Sequence, residues 1–199
     1  MATLASNALS QVADVKESLG IDNGVTTHDN MIIRLINAAS DAIENYCNRT
    51  FASATYTNEE YDGTGANYLV LRQYPITSIS SLDFLTSGYD SPSWETIDSD
   101  LYSFNADGRL YYKATFTRGF QNWRVTYVAG YSATPDDVAE ACVAYVVYSY
   151  KKSKSAGIKS ERLGEYSVEW FAPTGSSIIK ELGLDDILDA YKTPTIASF

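Results

Sequence analysis

The sequence has few of the residues from which metal sites and disulfides are made. Its 199 residues include one histidine, His28, and two cysteines, Cys47 and Cys142. A structural zinc site needs about four cysteine or histidine ligands, so these three side chains cannot supply one. Each cysteine lies in a helical pattern among apolar neighbours, which predicts two buried free thiols. We expect neither a metal ion nor another cofactor.

The sequence also lacks the motifs of common enzymes. GTGANY at residues 63–68 resembles a dinucleotide loop, but it has no third glycine and follows a predicted turn. There is no P-loop, no G-x-S-x-G and no H-E-x-x-H. Acidic pairs such as Asp98 with Asp100 could serve a glycosidase, yet they lie at strand ends or helix starts, where acids are common anyway. The sequence therefore indicates a protein that is not an enzyme.

Long apolar runs and positive charge are scarce as well. No run approaches the length of a membrane span, and the N-terminus lacks the basic start and apolar stretch of a signal peptide. The chain has 15 basic and 25 acidic residues, a net charge of −10. The acidic excess is spread along the chain, so no region is basic enough to grip phosphates. We expect no membrane partner and no dedicated DNA-binding site, although such a surface would suit the wall of a DNA channel.

Two helical segments occupy the first 50 residues. Ser10 is the predicted N-cap of a short helix that ends at Gly20, and Thr27 is the predicted N-cap of a longer one. In the longer helix the apolar residues recur at helical spacing and form one stripe. The stripe consists of Ile32, Leu35, Ile36, Ala39, Ile43 and Tyr46.

From Phe51 the period changes to that of strands and turns. Asp62-Gly63, Asp107-Gly108 and the range 118–122 are turn candidates. The segment WRVTYVAGY alternates, with Trp123 among the residues on one side, which is typical of a half-covered strand. The tyrosines of this region fit cross-strand packing, or alternatively a face on which a ligand or glycan stacks.

The next segment carries a strong signal for the start of a helix. Thr134 is the predicted N-cap, and Pro135 and two aspartates are favourable in the first turn. The helix is apolar nearly all round, so we expect a neighbouring subunit to cover part of it. The predicted subunit interface consists of Val138, Tyr145, Val146, Val147 and Tyr148.

Beyond this helix a segment rich in Ser, Gly and Lys leads into an alternating strand at 166–170. We expect this segment to become ordered when the protein assembles. The residues of this predicted assembly loop are Ile158, Lys159, Arg162, Leu163, Tyr166 and Trp170. A last helical stretch is interrupted at Gly183 and can restart at Asp185.

These patterns predict an α+β protein. Its frame has four helices, two N-terminal and two C-terminal, with an antiparallel all-β insertion between helices 2 and 3. We expect residues 1–50 and 132–199 to form the helical body and residues 51–131 to form the β-rich subdomain.

Four stretches resemble the head–tail connector, or adaptor, proteins of tailed bacteriophages. They are VADVKESLGI, LINAASDAIENYCNRTF, VTYVAGYSATPDDVAEACVAYVVYSY and GIKSERLGEYSVEW, in the order found in that family. The resemblance implies a structural virion protein of the neck that is assembled in the host cytoplasm. It implies a ring, usually of twelve subunits, that docks beneath the portal protein and extends the DNA channel. The ring also offers a surface to the tail or a tail-completion protein.

In that family the C-terminal segment reaches into the portal. By location, this assigns portal docking to Leu182, Leu184, Ile187, Leu188, Tyr191, Ile196 and Phe199.

Two other interpretations stay open. A carbohydrate-binding or adhesin-like module would show Trp94 or Trp123 exposed beside coplanar tyrosines, and another neck component, such as a tail-completion protein, would bind tail rather than portal.

Overall fold

The computed structural model describes residues 2–88, 91–154, 160–163, 166–169 and 175–192. It divides into two compact units. The helical unit contains Met1–Phe51 and Thr134–Phe199, and the β unit contains Ala52–Ala133. The predicted α+β class is confirmed. No helix of the described residues is long and apolar enough to cross a bilayer.

The described residues of the helical unit form five helices and one hairpin. The helices are α1 (Val12–Leu19), α2 (Asp29–Cys47), α3 (Asp136–Lys154), α4 (Gly175–Glu181) and α5 (Asp185–Leu188), and a 3-10 turn at Asp189–Tyr191 follows α5. The hairpin strands, which are numbered after those of the β unit, are β8 (Ser160–Leu163) and β9 (Tyr166–Glu169). The predicted last helical stretch thus consists of two short helices.

The core of the helical unit lies between α1, α2, α3 and the C-terminal helices. Ile32, Ile36, Ala39 and Ile43 of the predicted stripe are completely buried, whereas the other two residues of the stripe are half-buried. Both cysteines are buried free thiols, as predicted. The 3.6-residue period therefore identified the face of α2 that packs inward.

Two predicted helix caps are wrong. Helix α1 is capped at Gln11, whose backbone N–H donates to the Asp14 carboxylate at 3.0 Å. Ser10 cannot cap because it is buried and its hydroxyl donates to the Cys142 sulfur at 3.4 Å. Helix α2 begins after His28 rather than Thr27. The predicted stop at Gly20 is confirmed, because this residue adopts the left-handed conformation with φ of 67°.

In the part of the β unit that the structure describes, the strands form two antiparallel sheets. The larger has the order β1-β7-β3-β4 and the smaller the order β2-β6-β5. The strands are β1 (Ala54–Gly63), β2 (Tyr68–Val70), β3 (Ile76–Leu85), β4 (Trp94–Thr96), β5 (Tyr102–Phe104), β6 (Arg109–Tyr112) and β7 (Gly119–Ala129). Trp123, Val125 and Tyr127 of β7 are buried and alternate with half-buried residues, so the predicted alternation is confirmed.

Two of the three turn candidates are wrong. Asp62 and Gly63 are the last residues of β1, and β7 already begins at Gly119. The side chain of Asn122 connects the two strands at this point. Its Oδ1 accepts a hydrogen bond from the Gly63 N–H at 2.8 Å, and its Nδ2 donates one to the carbonyl of Thr117 at 2.8 Å. The turn at Asp107-Gly108 is present and connects β5 to β6.

A carboxylate lies among tyrosine hydroxyls inside the β unit. Asn58 has φ of 53°, and the β1–β7 register shifts between Tyr56 and Glu59. The Glu59 carboxylate accepts hydrogen bonds from the hydroxyl of Tyr61 and, at 2.6 Å, from the hydroxyl of Tyr127. It also pairs with Arg72 at 3.1 Å. One charge therefore satisfies two largely buried hydroxyls and a guanidinium.

Replacing Glu59 with alanine should lower the free energy of unfolding by about 1–3 kcal/mol, because the two tyrosine hydroxyls lose their shared acceptor. Urea denaturation followed by tryptophan fluorescence measures this loss. Glu60→Ala is the matched control, since the Glu60 side chain is exposed on the same strand. Equal losses in the two variants would contradict a structural role for the Glu59 network.

Candidate functional site

The predicted subunit interface lies on α3, and most of it is already covered. Val138, Tyr145 and Val146 are buried within the helical unit, where α3 contacts α1, α2 and α5. The inference that α3 needs a neighbouring subunit for cover is therefore wrong for these three residues. Val147 and Tyr148 are half-buried and remain accessible at the surface of the unit.

The predicted docking residues divide into buried and accessible groups. Leu184 is 7% exposed and Leu188 is completely buried, whereas Ile187 is 39% exposed. Leu182 and Tyr191 are half-buried. Ile196 and Phe199 lie outside the described residues. Two of the predicted docking leucines are thus part of the chain's own core.

A glycine sets the direction of this C-terminal element, defined as Gly175–Tyr191. Gly183 adopts φ of 65°, a conformation that residues with a side chain rarely take. The N–H of Leu184 then donates to the carbonyl of Ile179 at 2.9 Å, which ends α4 and turns the chain into α5. The predicted interruption at Gly183 is therefore the corner that returns Leu184 and Leu188 to the core.

Among the described residues, three hydrogen-bonded pairs of tyrosine and carboxylate connect the C-terminal element to α2 and α3. They lie at the surface and join residues that are far apart in the sequence. The pairs are Tyr148 to Glu181 at 2.7 Å, Tyr46 to Asp189 at 2.7 Å, and Tyr191 to Asp137 at 2.8 Å. We call these pairs the tyrosine contacts.

Charge reinforces one of the tyrosine contacts. The Lys192 ammonium lies 2.7 Å from the Asp189 carboxylate and 3.9 Å from the centre of the Tyr46 ring. The hydrogen bond to Asp189 raises the pKa of Lys192 to about 12. The pKa of Asp189 is lowered, first by its hydrogen bond with Lys192 and then by that with Tyr46. All of these groups are exposed or half-buried, so salt and water weaken their attraction.

A thiol lies beneath the same element. Cys47 is completely buried, and its sulfur donates a weak hydrogen bond to the carbonyl of Leu188 at 3.6 Å. Burial raises the pKa of Cys47 to about 11, so the thiol stays protonated and can donate at neutral pH.

The predicted assembly loop is partly a hairpin. Arg162 and Leu163 lie in β8 and Tyr166 in β9, with Leu163 paired to Tyr166. Ile158, Lys159 and Trp170 lie outside the described residues. The strand at 160–163 was missed, although two four-residue segments separated by two residues are typical of a hairpin.

The tryptophans of the β unit do not form a stacking face. Trp123 is 2% exposed. Trp94 is half-buried, and the guanidinium of Arg124 lies 4.5 Å from the centre of its ring. The exposed tryptophan that would support a carbohydrate-binding module is therefore not found at either position.

Comparison with known proteins identifies one family and one fold. A family model described as HCP, head completion protein, matches residues 8–162. No curated protein matches the sequence. Three similar solved structures are titled as the neck of an empty GTA particle computed with C6 symmetry, the neck of a native GTA particle computed with C12 symmetry, and the virion of a native gene transfer agent particle.

The similar chains have TM-scores of 0.62, 0.52 and 0.51, respectively, and 13% sequence identity. Each match covers 99% of this chain and 96% of the other. At this identity the likeness establishes a shared fold over almost the entire chain.

The contact between Tyr148 and Glu181 should be visible in a pH titration. The carboxylate that accepts the Tyr148 hydroxyl raises its pKa from 10.0 to about 12. Because the folded pKa is raised, the stabilisation is complete below pH 10 and is lost as the pH rises through about 12. The difference in absorbance at 295 nm between the wild type and Tyr148→Phe should therefore have a midpoint near 12. A midpoint near 10 would show that the contact between Tyr148 and Glu181 does not persist in solution. The control is the same difference measured between the wild type and Tyr68→Phe, because Tyr68 is exposed.

Proposed function

Because the chain belongs to the head completion protein family, we propose that it forms a ring of twelve subunits in the neck of a phage-like particle, beneath the portal. Members of this family are structural proteins of the virion, and the chain is accordingly a virion component and not an enzyme. The observation that carries the ring is the fold shared over 99% of the chain with a neck structure computed with C12 symmetry. A related structure computed with C6 symmetry is compatible with the same arrangement.

We further propose that the portal protein and the tail or a tail-completion protein are the partners on the two sides of the ring. DNA would pass through the ring without sequence-specific binding. The net charge of −10 supports this role, because a negative wall repels phosphates and does not hold them.

The proposed portal-docking segment is Leu182–Phe199. Ile187 is the most exposed of its described large apolar residues, so we infer that docking begins there. Leu184 and Leu188 can contribute only if α5 leaves its place in the core, which also requires the contacts of Tyr46 with Asp189 and of Tyr191 with Asp137 to break. The hairpin β8–β9 remains the proposed assembly loop, since a two-stranded sheet is marginally stable by itself and gains from a neighbour.

A tail-completion protein is the nearest alternative, and binding to isolated portal or isolated tail separates the two. The adhesin-like alternative has lost its support, because Trp123 is buried and the Trp94 ring is in contact with Arg124.

Val147→Asp should weaken the assembly of rings on the portal, because a carboxylate buried in an interface without a partner costs several kcal/mol. Val147 is the informative position, since a charge at the buried Val146 would unfold the chain itself. Native mass spectrometry and cryo-microscopy of portal complexes measure the number of copies. Thr77→Asp, at an exposed position of the β unit, is the control. Single copies of the wild-type chain on the portal would overturn the ring.

Portal binding should weaken about tenfold or more in Ile187→Asp, because an apolar anchor worth about 1–3 kcal/mol is replaced by a charge in every subunit. A chain that ends at Lys192 tests Ile196 and Phe199 separately. Leu101→Asp is the matched control, since Leu101 is also 39% exposed but belongs to the β unit. Co-sedimentation with portal measures binding. Wild-type stoichiometry in both docking variants would exclude this segment as the portal anchor.

A further inference from the structure

The start of β7 presents an aromatic side chain at the surface of the β unit. Phe120 is 64% exposed, and the next most exposed large apolar residue of the described chain, Tyr68, is 45% exposed. Its neighbour Gln121 has φ of 45°, in the left-handed region that residues with a side chain rarely adopt. Such strain persists only where the surrounding structure enforces it, and it often marks a functional position.

The backbone around Phe120 is fixed from several directions. The N–H of Gln121 donates to the Asp62 carboxylate at 2.7 Å. Asn122 is 7% exposed, and its amide connects Gly63 to the carbonyl of Thr117. The first residues of β7 therefore hold Phe120 in a preorganised position.

Arg118, two residues before Phe120 in the sequence, is also anchored. Its Nε donates to the carbonyl of Thr64 at 3.2 Å, and its side chain lies over Gly65, where a Cβ atom would approach it to 3.0 Å. The other three arginines of the β unit pair with carboxylates. These pairs are Arg72 with Glu59, Arg109 with Asp107, and Arg124 with Asp83. In the described part of the chain, Arg118 forms no ion pair.

We propose that Arg118 and Phe120 form a knob that binds a second copy of this chain. Phe120 would enter an apolar recess of that copy, and the Arg118 guanidinium would meet one of its carboxylates. The inference rests on the proposed ring, in which each copy contacts the next through two different surfaces. Arginine and aromatic anchors dominate the binding energy of interfaces, and a preorganised segment loses little entropy when it binds.

Charge identifies a second copy as the occupant. The chain carries 25 acidic against 15 basic residues, so its surface supplies the carboxylates that a guanidinium without an ion pair requires. DNA phosphates would also attract Arg118, but they offer no apolar recess to Phe120. The excess of acidic residues in the β unit would also repel them.

Photocrosslinking in the full-length chain identifies the occupant directly. The chain with p-benzoylphenylalanine at position 120 is irradiated alone at high concentration and on purified portal, and the products are mapped by mass spectrometry. Crosslinks between two copies of the chain are expected. Crosslinks only to portal would overturn the inference, as would products within a single copy only.

Two pairs of variants test the knob in assembly. Phe120→Ala should weaken association between copies about tenfold or more, whereas Phe104→Ala, at a position 37% exposed, should change it little. Arg118→Glu should weaken it more than Lys113→Glu, which makes the same charge change at another exposed position of the β unit. Circular dichroism and thermal melting confirm that each variant is folded.

The results separate the knob from the ring. A ring that forms equally well from wild type and from Phe120→Ala overturns the knob and leaves the ring intact. If the wild type gives only single copies on portal, the ring fails. The crosslinks at high concentration then decide whether the knob still joins two copies, and their absence rejects it.

Discussion

The packing of α2 against α3 is the contact on which the helical unit depends, because these helices come from opposite sides of the β unit in the sequence. Ile36 and Ile43 of α2 and Val146 of α3 are completely buried. Closing a loop of about eighty residues between α2 and α3 has an entropy cost that local contacts do not offset. The burial of this apolar core must therefore offset it. Within the β unit, the cost is reduced because β1 and β7 pair from Ala54 opposite Ala129 onward, which brings the two ends of the insertion together.

Polar contacts between residues distant in sequence add to the apolar core and fix how the segments of the chain meet. The hydroxyl of Ser10 contacts Cys142, and the hydroxyl of Ser40 lies 3.9 Å from the same sulfur. These small polar groups fix how three segments distant in sequence meet. The same principle operates in the β unit, where Glu59 joins Tyr61 and Tyr127. Buried polar groups thus define one arrangement among the many that apolar packing alone would allow.

The sequence predicted elements whose signal is periodic and local. The stripe of α2, the alternation of β7, the stop at Gly20 and the break at Gly183 all belong to this class. Asp62-Gly63 was mistaken for a turn because a dipeptide signal cannot account for Asn122, which approaches from 59 residues away. The cover of α3 by its own chain and the tyrosine contacts were missed for the same reason, since Tyr46 and Asp189 are 143 residues apart.

Docking through the proposed segment would cost free energy if α5 had to leave the core of the helical unit. Burying a leucine such as Leu188 contributes about 1.5–3 kcal/mol, whereas an exposed hydrogen bond of the tyrosine contacts contributes less because water competes for both partners. Apolar burial therefore holds α5 in place, and the tyrosine contacts fix its position. If α5 leaves the core to dock, the partner must offer a groove that buries at least the same apolar surface, or the exchange is unfavourable. A partner that binds only the exposed face around Ile187 avoids this cost entirely, which makes that face the less demanding first contact.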